Sequence, residues 1–95
     1  MRPPQRVYTY EGKGISTSVR SAVDGKRYVI STAPRPDGGW ELAVFRKNFA
    51  GFVNIYKPLK VVRTPTFEEA EKEHASIEGV VTSRPREEWA DWFAL

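Results

Sequence analysis

A chain of 95 residues and 10.8 kDa has room for one small domain. With 40% hydrophobic and 28% charged residues it reads as globular, and its longest apolar runs, Leu42–Phe45 and Trp92–Leu95, fall far short of the ~18 residues of a membrane span. The absence of cysteine excludes disulfides, thiolate catalysis and cysteine–zinc sites, and a single histidine excludes any site needing two.

Residues 1–6 read as a flexible basic arm with no apolar leader stretch. Val7–Tyr10 suits a short strand, which Gly12-Lys13-Gly14 breaks. From Ile15 to Val23 the chain is β-branched and alternating, with Ile15, Thr17, Val19 and Val23 on one face. Asp24-Gly25 then has the chemistry of a two-residue hairpin turn, returning through Lys26–Thr32. Pro34-Arg35-Pro36-Asp37-Gly38-Gly39 is a second turn, because proline presets φ and glycine supplies the left-handed positions. It feeds an alternating strand, Trp40–Arg46, and a loop over Lys47–Gly51. Phe52–Arg63 is strand-like, but Pro58 demotes it to an edge or a break.

After Pro65 the period changes. Phe67, Ala70, His74, Ile77 and Val81 form a helical stripe, and Thr66 with Glu69 matches a capping box. Beyond Thr82-Ser83-Arg84-Pro85, Glu87–Leu95 suits a short second helix carrying Trp89, Trp92 and Phe93. The expected fold is α+β: an antiparallel sheet of three to five strands packed on one main helix, with a short aromatic C-terminal helix.

Charge divides along the chain. Residues 1–64 hold 12 Lys+Arg against 4 Asp+Glu, a balance of +8, and residues 65–95 hold 3 against 8, a balance of −5. A basic sheet region (7–64) therefore precedes an acidic helical region (65–95). Such a sheet attracts phosphate, and its candidate contacts are Arg20, Lys26, Arg27, Arg46, Lys47, Lys57, Lys60 and Arg63. Tyr8, Tyr10, Phe49 and Tyr56 lie among these and suit stacking on bases if exposed. Edge-strand cations also have a plainer use, blocking sheet-to-sheet pairing.

Trp89, Trp92 and Phe93 would together expose roughly 450–750 Å² in water, more than a monomer surface ordinarily carries. They dock either on their own sheet or, as protein-docking residues, on a partner or a second copy. Val29, Phe45 and Val62 occupy the alternation phase opposite to Ile30, Val44 and Val61, so both sheet faces carry apolar residues.

No catalytic, metal or cofactor pattern emerges. Glu71-x-x-His74 is half of a carboxylate–histidine metal motif, but no second copy exists and His74 reads as a boundary histidine bonded to a carboxylate. There is no Gly-x-Ser-x-Gly elbow, and Gly12-Lys13-Gly14 lacks phosphate-loop spacing. The expectation is a non-enzyme with no cofactor and no membrane contact. Its candidate partners are nucleic acid, a host or phage protein, and a second copy of the chain.

The strand Trp40-Glu41-Leu42-Ala43-Val44-Phe45, the helix start Thr66-Phe67-Glu68-Glu69-Ala70-Glu71-Lys72-Glu73-His74 and the earlier Ile15-Ser16-Thr17 resemble a group of small actinobacteriophage proteins, over about residues 15–81. That resemblance implies a phage product acting in a bacterial cytoplasm, and it assigns no activity. The strand-then-helix order, Trp40 and the basic sheet are also similar to the three-stranded DNA-binding domains of plant ethylene-response factors and integrase arm domains. In those families the sheet reads DNA and the helix packs behind it.

Overall fold

The structure is a computed structural model that describes residues 5–9 as backbone and residues 14–48, 50–53 and 57–89 in full. Five strands cross one antiparallel sheet in chain order: β1 (Gln5–Thr9), β2 (Gly14–Arg20), β3 (Arg27–Pro34), β4 (Trp40–Arg46) and β5 (Lys60–Thr64). The helix α1 (Phe67–Ser83) packs on β2 through β5, and a single 3-10 turn, Arg86–Glu88, follows it. The expected α+β architecture is therefore present, at the upper end of the expected strand number.

Register sets the core. Thr17 lies opposite Ile30 and Ile30 opposite Val44, Ile15 opposite Thr32 and Thr32 opposite Leu42, and Val19 opposite Tyr28. All of these are buried, because alternation puts them on the face that α1 covers. From the helix come Ala70, His74, Ile77, Val80 and Val81, the expected stripe widened by Val80. The Thr66 hydroxyl accepts from the Glu69 N–H at 3.2 Å, satisfying one of the free amides at the helix start. Gly79 lies inside the helix and does not end it.

Trp89 closes the far end of this core. It is only 6% exposed, meets the Tyr28 ring edge-on at 5.2 Å, and donates its indole N–H to the Arg84 carbonyl at 3.0 Å. Pro85 separates α1 from a 3-10 turn that leads into Trp89, and this is the part of the expected C-terminal helix that falls within the described residues. Trp92 and Phe93 lie outside the described residues.

Three other local expectations change. The stretch read as an arm yields Gln5 and Arg6 to β1, where they pair with Ser18 and Thr17; residues 1–4 lie outside the described residues. The Asp24-Gly25 hairpin is wider than two residues, because its last strand pair is Arg20–Arg27. Ser21 closes the loop through its N–H to the Lys26 carbonyl, while the Ala22 N–H donates to Thr82 at the end of α1. That tether pulls the loop toward the helix and leaves Val23 52% exposed, not on the buried face. Finally, the strand-like run after Phe52 becomes the shorter β5, beginning two residues past the exposed Pro58. No helix among the described residues is long and apolar enough to cross a membrane.

Candidate functional site

The turn at Ser21–Lys26 and the ends of β2, β3 and β4 meet at one end of the sheet. Arg20 and Arg27 are direct cross-strand partners, and the Lys47 N–H donates to the Arg27 carbonyl at 2.9 Å. Three cations thus stand in one row across three adjacent strands, whose spacing of about 4.8 Å puts their backbones within roughly 10 Å. Alternation aims the row at the face opposite α1. Lys47 Nζ reaches across that face to Ser18 Oγ at 3.2 Å, Arg20 donates to the Gly25 carbonyl at 2.7 Å, and Arg27 donates to the Asn48 carbonyl at 3.1 Å. Like charges set directly opposite one another destabilise a sheet.

A shallow cleft of about 330 Å³ opens here, lined by Arg20, Gly25, Lys26, Arg27, Arg46, Lys47 and Asn48. Five of the eight expected cations therefore gather at one place. Among the described residues, Arg20, Lys26, Arg46 and Lys47 form no ion pair within 4.0 Å. The one carboxylate in the neighbouring turn, Asp24, is already engaged. It accepts from the Lys26 N–H at 2.8 Å and from the Tyr28 hydroxyl at 3.0 Å. Desolvation alone would raise the Asp24 pKa, but these hydrogen bonds and the Lys26 charge outweigh it and hold the carboxyl below its ordinary value. Burial, then the bond to Asp24, push the Tyr28 hydroxyl upward, opposed by the charges of Arg86 and Arg46. Arg86 is thus a further cation at this end, contributed by the otherwise acidic helical region.

The remaining three expected cations stand elsewhere. Lys57 is exposed in the segment leading to β5, and Lys60 lies opposite Val44 on the helix side of the edge strand. Arg63 is at the opposite end of the sheet, where Glu41 Oε2 takes both Arg63 Nε at 3.2 Å and Arg35 Nη1 at 2.8 Å. Arg35 also grips Asp37 at 2.9 Å, holding that carboxyl below its usual range. This end neutralises itself, whereas Arg20 and Lys47 of the basic row form no ion pair within 4.0 Å among the described residues.

The loop after β4 adds a feature that reading the sequence did not single out: Phe52 is 73% exposed. Tyr10, Phe49 and Tyr56, named above for stacking, lie outside the described residues, as does the side chain of Tyr8. A phenylalanine in a glycine-containing loop between charged residues is a signal of this kind, but only burial distinguishes it from a core residue. Trp89, named as a docking residue, belongs instead to the core and offers no exposed anchor.

His74 lies well inside the fold. Its Nε2 is 2.8 Å from Thr17 Oγ1 and 3.1 Å from Glu78 Oε1, and its Nδ1 is 2.7 Å from Thr32 Oγ1. The ring is 1% exposed, which suits a structural hydrogen-bond network beneath α1. Among the described residues no group of three or more carboxylate and imidazole ligands converges. Compared with protein families, with curated proteins and with solved structures, the chain finds no match.

Proposed function

We propose that this chain is a small non-catalytic nucleic-acid-binding domain, of phage type as the sequence resemblance implies, and that the basic end of the sheet is its working surface. One observation carries the reading: the Arg20–Arg27–Lys47 row, three like charges on adjacent strands at the rim of a cleft, set apart from the self-neutralised Arg35–Glu41–Arg63 end. Like charges set side by side in this way repel one another, whereas a phosphate backbone laid along them offsets the repulsion and releases counterions.

The test is fluorescence anisotropy of labelled oligonucleotides at ~50 and ~200 mM salt, since phosphate-driven binding weakens steeply over this range. Serine at Arg20, Arg27 and Lys47 together should abolish most binding and lower the salt slope by about 1 for each phosphate left without its cation. Arg63→Ala, at the far end, should leave binding unchanged. Absence of binding at the lower salt, or binding that ignores salt, would overturn the reading.

A second reading, docking of protein or of a second copy on the face opposite α1, draws on one fact. Val61 is 39% exposed on the edge strand, in the cross-strand row of Ala43 and Ser31. If that face pairs two chains, light scattering of the purified protein gives a dimer mass and Val61→Glu returns a monomer. A monomer at high concentration removes self-association from consideration.

A further inference from the structure

The backbone that carries the exposed ring of Phe52 is held in place. Lys47 and Val53 form an isolated bridge beneath it, and the Asn48 N–H donates to the Phe52 carbonyl at 2.9 Å. Asn48 Oδ1 accepts from the N–H groups of Ala50 at 2.9 Å and Phe52 at 3.0 Å. Gly51, at φ +90°, donates to the Asn48 carbonyl at 3.0 Å, a conformation that a side chain would strain. The same Asn48 carbonyl accepts from Arg27, and Asn48 also lines the basic cleft. One asparagine therefore ties the loop that carries Phe52 to a wall of the basic cleft. The described backbone of this loop is bonded internally while the Phe52 ring stays 73% exposed.

We infer that Phe52 is a stacking platform and that the ligand of the basic cleft is single-stranded nucleic acid. Phosphates lie along Arg20, Arg27 and Lys47 while a neighbouring unpaired base lies on the Phe52 ring. The bases of a duplex are already stacked and paired and offer no free face to a ring presented this way, whereas every unpaired base does. This inference rests on the nucleic-acid reading above and narrows it.

The full-length protein is titrated against a single-stranded DNA, the RNA of the same sequence and the matching duplex, each carrying 2-aminopurine, with anisotropy and 2-aminopurine emission read together. The single strands should bind more tightly than the duplex and show quenched emission as the probe base stacks. Phe52→Ala should weaken single-strand binding by roughly 5- to 150-fold and remove the quenching, with the salt slope unchanged because the phosphate contacts persist. Phe52→Trp should retain both binding and quenching. The ring is exposed, so a circular dichroism spectrum identical to the parent's is expected for each variant. If Phe52→Ala binds single strands as the parent does, with a steep salt slope, the stacking inference falls and the nucleic-acid reading stands. Preference for the duplex does the same. If the parent binds none of the three, both fall.

Discussion

At the scale of the residue, the clearest constraint is the polar cluster beneath α1. Thr17, Thr32 and His74 are each no more than 1% exposed, and each is hydrogen-bonded. Replacing Thr32 by valine keeps its shape but takes the hydroxyl from His74 Nδ1, which should cost about 1–3 kcal/mol in urea unfolding. The Asp24–Tyr28 pair makes a prediction in pH. Because the folded state lowers the Asp24 pKa, the unfolded chain binds more protons than the folded one as pH falls below about 4, so stability rises with pH through that interval and the contribution vanishes below the folded pKa. Asp24→Asn should flatten this acid limb in thermal melts collected from about pH 2 to 6.

At the scale of the element, α1 carries two tests of opposite sign. Thr66→Ala removes the hydroxyl that accepts from Glu69 and should destabilise the protein by about 0.5–2 kcal/mol. Gly79→Ala should stabilise it by about 0.5–1 kcal/mol, because the position is helical and a Cβ there meets nothing within 4 Å. Chemical denaturation of both variants checks the pair. The stripe of α1 was legible in the sequence, since a period of 3.6 is a local property and Phe67, Ala70, His74, Ile77 and Val81 obey it. The strands β2, β3 and β4 were legible for the same reason at period 2. The loop at Ser21–Lys26 was not. Asp24-Gly25 satisfies every local rule for a tight turn, yet a hydrogen bond from Ala22 to the distant Thr82 decides its width.

At the scale of the molecule, the two ends of the sheet differ in what they do with charge. Arginine is common to both, but Glu41 and Asp37 neutralise one end, and at the other Asp24 is turned to the Lys26 amide and the Tyr28 hydroxyl. Removing the basic row should leave stability unchanged or slightly raised, because like-charge repulsion goes with it; a raised Tm for the triple serine variant at low salt is the expected sign. Trp89 belongs to this scale as well. Its burial against Tyr28 makes it part of the main core, so Trp89→Ala should cost about 3–5 kcal/mol, against a total stability of roughly 5–14 kcal/mol for a chain of this length. Thermal melts of that variant beside the parent would measure the difference.

Near neighbours along the chain were enough to fix the order of strands and helix, the alternation that sorts buried from exposed in β2, β3 and β4, the Thr66 cap, and the change of charge from sheet to helix. In β5 the register reverses the expected phase, pairing Val62 with Leu42 on the helix side and Val61 with Ala43 on the other. The eight candidate cations are likewise a matter of composition, and which of them stand together is a matter of folding. Cross-strand register places Arg20, Arg27 and Lys47 side by side, and a salt bridge commits Arg63 to Glu41. Folding also buries Trp89, which has the look of an interface anchor, and leaves Phe52, which reads like any strand residue, in water. Spacing along the chain reports the face a side chain takes, but the neighbours it meets there depend on contacts between segments far apart in sequence, and those come into being only when the sheet closes on its helix.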